Sequence, residues 1–389
     1  MHLRYRPMPC QSPAVKLSRR TVLKGAGTLI AALAHPSYGN AERRIVINDA
    51  SRLNPTPVAV HLTVRTDTQA DVIARLRAEL KTAAAAKRPF AAAVARHSMG
   101  GQSLPRDGTA ITFTNGSCEI DSSAMTFRAS AGTTWRDVIA TLDRAGFSPA
   151  VMQSNNDFGV GSTFCVNAHG WPVPYGPFGS TVRAVRIMMA DGSILECSSE
   201  KNSELFSLAM GGYGLFGVVL DVEAAMVPNV LLRPTFERMG SRDFAQRFMT
   251  TVDGGQVKMA YGRLSVANRG FFEEALLCSF RPLPTPAEGL SPATSKGFLT
   301  SISREIYRAQ IGSELAKRAR WLAETKIGRM ESGGATRNSL MNEPVANLPT
   351  GTSRAPISCM NISLRRTALP NSFVPARRSF PRRVWNSSM

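Results

Sequence analysis

Acidic residues are missing from both ends of this 389-residue chain. Residues 1–41 carry Arg4, Arg6, Lys16, Arg19, Arg20 and Lys24 without a single Asp or Glu. Residues 346–389 carry Arg354, Arg365, Arg366, Arg377, Arg378, Arg382 and Arg383, again without an acid. The two ends hold +6 and +7 of the formal net charge of +19, so the body between them is only mildly basic. A body of that kind lacks the electrostatic footprint of a nucleic-acid or other polyanion partner. Ordered cysteines are missing too. The six cysteines show neither metal-ligand spacing nor a paired framework. Cys10 and Cys359 lie in the basic ends, and Cys118, Cys165, Cys197 and Cys278 are dispersed, as expected of buried free thiols. No metal site is expected. The apolar run at 25–34 is too short to span a bilayer stably.

What is present is a 43% hydrophobic chain, long enough for a sizeable core and two domains. Ser18-Arg19-Arg20-Thr21-Val22-Leu23-Lys24 resembles the twin-arginine export pattern and is followed by that short apolar run. Gly39-Asn40-Ala41 and Ala32-Leu33-Ala34 offer small residues for cleavage. Segment 1–41 is therefore expected to be a signal peptide that directs a folded protein to the periplasm. Transport after folding suits a protein that acquires a cofactor in the cytoplasm.

Strand patterns at 58–64, 90–94, 110–114 and 124–129 are interrupted by an alanine-rich helical pattern at 68–86. An amphipathic helix at 135–145 closes at Gly146. Segments 182–189 and 193–197 flank Asp191-Gly192 and read as a β-hairpin. A short helix at 202–210 and a strand at 218–227 complete an α+β pattern. Gly212-Tyr213-Gly214-Leu215-Phe216-Gly217 spells G-x-G-x-x-G, but with a helix before it and a strand after it. A dinucleotide fold needs the reverse, so a nicotinamide site is excluded.

Arg96-His97-Ser98-Met99-Gly100-Gly101-Gln102 follows the apolar strand at 90–94. Two adjacent glycines permit a tight turn and close backbone approach, and successive N–H groups suit a phosphate. A second glycine segment, Gly159-Val160-Gly161-Ser162-Thr163, precedes Asn167-Ala168-His169-Gly170, and its small residues suit the start of a helix and a second anion site.

These segments, with the block from Gly211 to Val219, resemble in order the flavin-binding domain of the vanillyl-alcohol oxidase and p-cresol methylhydroxylase family, nearest in motif to cytokinin dehydrogenases and berberine-bridge-type oxidases. The resemblance covers roughly residues 57–229. It implies a two-subdomain FAD-binding domain of the p-cresol methylhydroxylase type, followed by an α+β substrate domain at 230–345 that is incomplete. It also implies that Arg96, His97, Ser98, Met99, Gly100, Gly101 and Gln102 hold the FAD pyrophosphate through backbone N–H groups. Gly159, Gly161, Ser162, Thr163, Asn167 and His169 form the second loop, and Gly217, Val218 and Val219 line the adenine or ribose side. His97 occupies the position where many members attach the flavin covalently. The further cysteinyl link of some members has no counterpart, because Asn155-Asn156-Asp157 stands in that region.

The function so implied is an FAD-dependent oxidoreductase. It takes a hydride from a C–OH or C–N carbon of a small organic substrate and passes electrons to oxygen or another acceptor. Asp157 and His169, both in glycine-rich loops, are the candidate bases. In the substrate domain, 235–249 reads as a helix, 259–264 and 274–280 as strands, and 301–322 as a basic helix. After about Val345 the chain turns rich in Arg, Pro and Ser without periodicity, as a disordered tail or a slipped reading frame would be. Met360-Asn361 read one nucleotide earlier forces a glutamate codon, so we expect 346–389 to be frameshifted. The coding DNA tests this. A shifted product would lack the last part of its substrate domain, and the alternative function is then a truncated flavin-binding protein without turnover.

Overall fold

The computed structural model describes residues 45–65, 68–98, 100–287, 289–294, 310, 312–327 and 334–344. The segment 1–41, for which a signal peptide is expected, Met99 and the tail 346–389 lie outside the described residues.

Strands β1 (Ile45–Ile47) and β2 (Thr56–Val58) pair antiparallel. Then β3 (Val60–Val64), α1 (Gln69–Ala85), β4 (Phe90–Ala93) and β5 (Thr109–Phe113) build a parallel sheet of order β3-β5-β4. The Thr68 hydroxyl accepts the Asp71 N–H and starts α1, whose Val72 and Leu76 pack on Val64, Ile111 and Phe113. Burial of a side chain such as Leu76 is worth about 1.5–3 kcal/mol.

A second, antiparallel sheet has the order β10-β9-β11-β7-β6, with β8 on the end of β11. Its strands are β6 (Cys118–Asp121), β7 (Thr126–Ser130), β8 (Phe147–Pro149), β9 (Val182–Met188), β10 (Ile194–Ser198) and β11 (Val218–Pro228). The expected hairpin is β9–β10, turned at Gly192 with φ +83°, while Asp191 Oδ1 accepts the Ser193 N–H. Helices α2 (Trp135–Arg144), α3 (Val160–Val166) and α4 (Ser203–Ala209) belong to this layer. A capping box between Thr134 and Asp137 starts α2, and its apolar face buries Trp135, Val138, Ile139 and Leu142. The G-x-G-x-x-G spelling falls between α4 and β11, as its rejection required.

The third sheet has the order β13-β14-β12-β15, from β12 (Leu231–Gly240), β13 (Met259–Leu264), β14 (Glu274–Pro282) and β15 (Ala335–Thr336). With it come α5 (Ser241–Asp253), α6 (Glu314–Ile327) and α7 (Arg337–Met341). The segment 235–249 is not one helix. From Leu232 to Gly240 it pairs residue for residue with β14, and α5 begins only beyond Gly240. A long cross-strand ladder here overrides a local pattern that suits either period. Of the basic helix expected at 301–322, residues 301–309 lie outside the described residues, and the described helix runs Glu314–Ile327. One hydrophobic cluster joins the second and third sheets, from Trp135, Phe164 and Phe178 to Leu232, Met259, Phe280 and Met341. Cys118, Cys165, Cys197 and Cys278 are free thiols.

Candidate functional site

The first glycine loop leaves the C-terminal end of β4, the edge at which open parallel sheets place ligands. Arg96 takes φ +49° there and turns its guanidinium back under the sheet. Its Nη1 donates to Thr112 Oγ1 at 2.7 Å and its Nη2 to the Ile111 carbonyl at 3.3 Å. His61 Nε2 lies 2.8 Å from the same hydroxyl, and burial together with the Arg96 charge lowers the His61 pKa. Arg96 Nε and Ser103 Oγ are buried without a hydrogen-bond partner.

Two glycine amides expected to face a phosphate are already engaged. Gly100 N–H donates to Gln102 Oε1 at 2.9 Å, and Gly101 N–H donates to Asp49 Oδ2 at 3.0 Å. Asp49 is buried, and the same carboxylate accepts from Asn54 Nδ2, Ser51 Oγ and the Ser51 N–H. The arrangement departs from the expectation because a nearby carboxylate and a folded-back amide meet the amides' hydrogen-bonding demand within the chain. A cavity of about 390 Å³ beside this turn is lined by Asn54, Gly100, Gly101, Leu104 and Arg106, among others. No residue of the second loop or of 217–219 lines it.

His97 and Asp157 are brought together. His97 Nε2 lies 3.4 Å from Asp157 Oδ2, both side chains being largely buried, and the Phe158 ring stacks on the imidazole at 4.4 Å. The loop bearing Asp157 and Phe158 is fixed by the start of α2: Arg136 N–H donates to the Asn156 carbonyl and Trp135 N–H to that of Phe158.

The second glycine segment does start a helix, α3, with Gly159 as its cap. A Cβ on Gly159 would fall 2.6 Å from Val94 Cγ2, so this glycine lets the two loops meet. The Val160 N–H donates to the Thr133 carbonyl, which removes it from the expected second anion site. The Thr163 hydroxyl is also spent: it accepts from Trp135 Nε1 and donates to the Gly159 carbonyl. Ser162 is half-buried. Asn167 ends α3 in a left-handed conformation, and its Oδ1 accepts the Gly179 N–H. His169 is half-buried in the following turn, where burial lowers its pKa and the Gly170 backbone partly opposes that. Gly217 has φ +141°, and a Cβ there would strike Ile187 and the Met188 carbonyl, so it serves the β9–β11 approach. Val219 is buried and borders Gly161, and Val218 pairs with Met188.

Phe158, Asp49 and Arg106 were missed as site residues. The run Asn48-Asp49-Ala50-Ser51 had the signature of a side-chain-stapled turn; nothing local marked the stacking role of Phe158.

The unpartnered donors of Arg96 and Ser103, the adjoining cavity and the His97–Asp157 contact fit an anionic dinucleotide laid along the first loop. The class agrees with the comparisons: residues 63–198 match the FAD binding domain family, so the chain is a flavoprotein with FAD as its cofactor. Through this domain it is similar to FAD-linked oxidases and dehydrogenases. It is 29% identical to L-gulonolactone oxidase of Mus musculus over 117 residues, 30% of this chain and 27% of that protein. It is 28% identical to cytokinin dehydrogenase 4 of Arabidopsis thaliana over 202 residues, 48% of this chain and 37% of that protein. These matches thus span well under half the length of either relative. Among the described residues, no helix is long and apolar enough to cross a membrane, and no cluster of His, Cys, Asp or Glu suits a metal ion.

Proposed function

We propose that this chain is an exported FAD-dependent oxidoreductase that takes a hydride from a C–OH or C–N carbon of a small organic substrate. Oxygen or a separate carrier then receives the electrons. The observation that carries the reading is the His97–Asp157–Phe158 cluster at the end of β4, inside a matched FAD binding domain. The names of the relatives point to the same chemistry, one an oxidase of a lactone and the other a dehydrogenase of a cytokinin.

Bound flavin supplies the hydride acceptor. In this reading the chain supplies the rest. Arg96, Ser98, Met99 and Ser103 hold the pyrophosphate, joined by the Gly100 and Gly101 amides once Gln102 and Asp49 release them. Gly161, Val218 and Val219 border the nucleoside part, and His97 carries the flavin through a single covalent bond. Asp157 faces the attachment residue, so its first duty is to orient His97. His169, half-buried in the turn after α3, is then the remaining candidate to accept the substrate proton. The third sheet contributes the substrate domain, at 230–345.

Acid precipitation tests the cofactor assignment. Yellow colour stays with the precipitate of the wild type and passes to the supernatant for His97→Ala. Flavin released from the wild type would exclude covalent attachment. A flavin-binding protein without turnover is the second reading. It is favoured by β12, whose outer edge bonds to β15 only at Leu231 and Leu232 among the described residues. A yellow protein that no alcohol, lactone or amine bleaches under anaerobic conditions would select that reading.

A further inference from the structure

We infer that the segment 337–343, which follows the third sheet, is a positioning strap for the His97–Asp157 pair, with Asn342 and Asn156 as its contact. The inference rests on the proposed role of that pair.

Asn156 immediately precedes Asp157 and is buried. Its Nδ2 donates to Asn342 Oδ1 at 2.6 Å, and its N–H donates to the Glu343 carbonyl at 3.0 Å. Asn155 Nδ2 adds a longer bond to the same carbonyl, at 3.3 Å. Three hydrogen bonds therefore fasten the two residues before Asp157 to a segment almost two hundred positions away. On the opposite side the start of α2 holds the loop through the Asn156 and Phe158 carbonyls. Asp157 thus lies between two fastened neighbours, and its carboxylate is 3.4 Å from His97 Nε2.

The strap is itself anchored hard. Arg337 is buried, and its guanidinium donates to Ser148 Oγ, the Pro149 and Ala150 carbonyls and the Lys258 carbonyl. Its neighbour Asn338 donates to Asp143 Oδ1 and the Phe147 carbonyl. These anchors lie on the same seven-residue stretch as Asn342. They hold Asn342 at a fixed distance from the flavin-domain loop. Asn342 and Asn156 are positioning residues; they act through Asp157.

The test uses the full chain with its five histidines labelled with nitrogen-15, His97 being assigned from His97→Ala. Asn342→Leu, Asn156→Leu and Asp157→Asn are compared, with thermal unfolding as the folding control. The expected result is that either leucine variant moves the His97 ring signals toward their position in Asp157→Asn. Combining Asn342→Leu with Asp157→Asn should move them no further. Ring signals that stay put in Asn342→Leu, or shifts that add in the combined variant, overturn the strap. Because no bound flavin is needed, this outcome is separate from the acid-precipitation result. A wild type that releases its flavin would defeat the covalent reading and leave the strap standing.

Discussion

Asp49 sits at the point where the first glycine loop meets the N-terminal strands, and four hydrogen bonds converge on its carboxylate. Asp49→Ala leaves the Gly101 and Ser51 amides without their acceptor, a cost of about 1–3 kcal/mol for each buried group so stranded. Urea unfolding monitored by fluorescence should show that loss, while Asp49→Asn keeps part of it. Two histidines set a pH dependence. Burial lowers the pKa of both His61 and His169, the Arg96 charge adding to the effect at His61. Between the lowered folded-state value and the ordinary value of about 6.5, the unfolded chain binds more protons, so stability rises with pH through that window. Their contribution is complete above about 6.5 and is lost as the pH falls below it. Melting temperatures measured from pH 7.5 to 5 should decline in the wild type and decline less steeply in His61→Gln/His169→Gln. At this scale the sequence disclosed a good deal. His97 and Asp157 were both named from it, and they meet. It did not disclose that Asp49 occupies the Gly101 amide, because that contact spans fifty positions and depends on how β1 and β2 fold over the loop.

Among the elements, α2 is the one whose start matters most, since its first amides hold the loop that presents Asp157. Thr134→Ala removes the hydroxyl half of its capping box, which accepts the Asp137 N–H, and should cost about 1 kcal/mol of stability, read by chemical denaturation. The short α7 repays a harsher change. Burial pushes the Arg337 guanidinium down to about 10, and every acceptor around it is neutral. Arg337→Met would leave four acceptors unmatched, and a loss on the order of 3 kcal/mol is expected from calorimetry. Arg337→Lys should recover only a fraction, because an ammonium lacks the fork that reaches several carbonyls at once. Elements with a strong period and a local stop were legible: α1, α2 and the β9–β10 hairpin all fall within two residues of their expected bounds. β6 and β8 went unread because they are only four and three residues long. β12 was misread because its identity as a strand resides in β14, forty residues away.

For the molecule as a whole, the third sheet ends, among the described residues, on an edge that β15 covers for two residues. Arg233, Thr235 and Arg238 are exposed along the remainder, and Pro234 removes one backbone donor. Charge and proline at an uncovered edge oppose pairing with another chain. Replacing Arg233 and Arg238 by valine should therefore increase light scattering on warming, without a matching fall in melting temperature. The continuous cluster from Trp135 to Met341 makes the second and third sheets depend on one another. The strap has a consequence in time. Synthesis runs from the N-terminus, so a nascent chain released only as far as α6 already possesses both glycine loops and yet has nothing with which to fasten Asn156. Maturation of the His97 site is thereby deferred until the ribosome has delivered Glu343, and the closed fastening is a record that translation got so far.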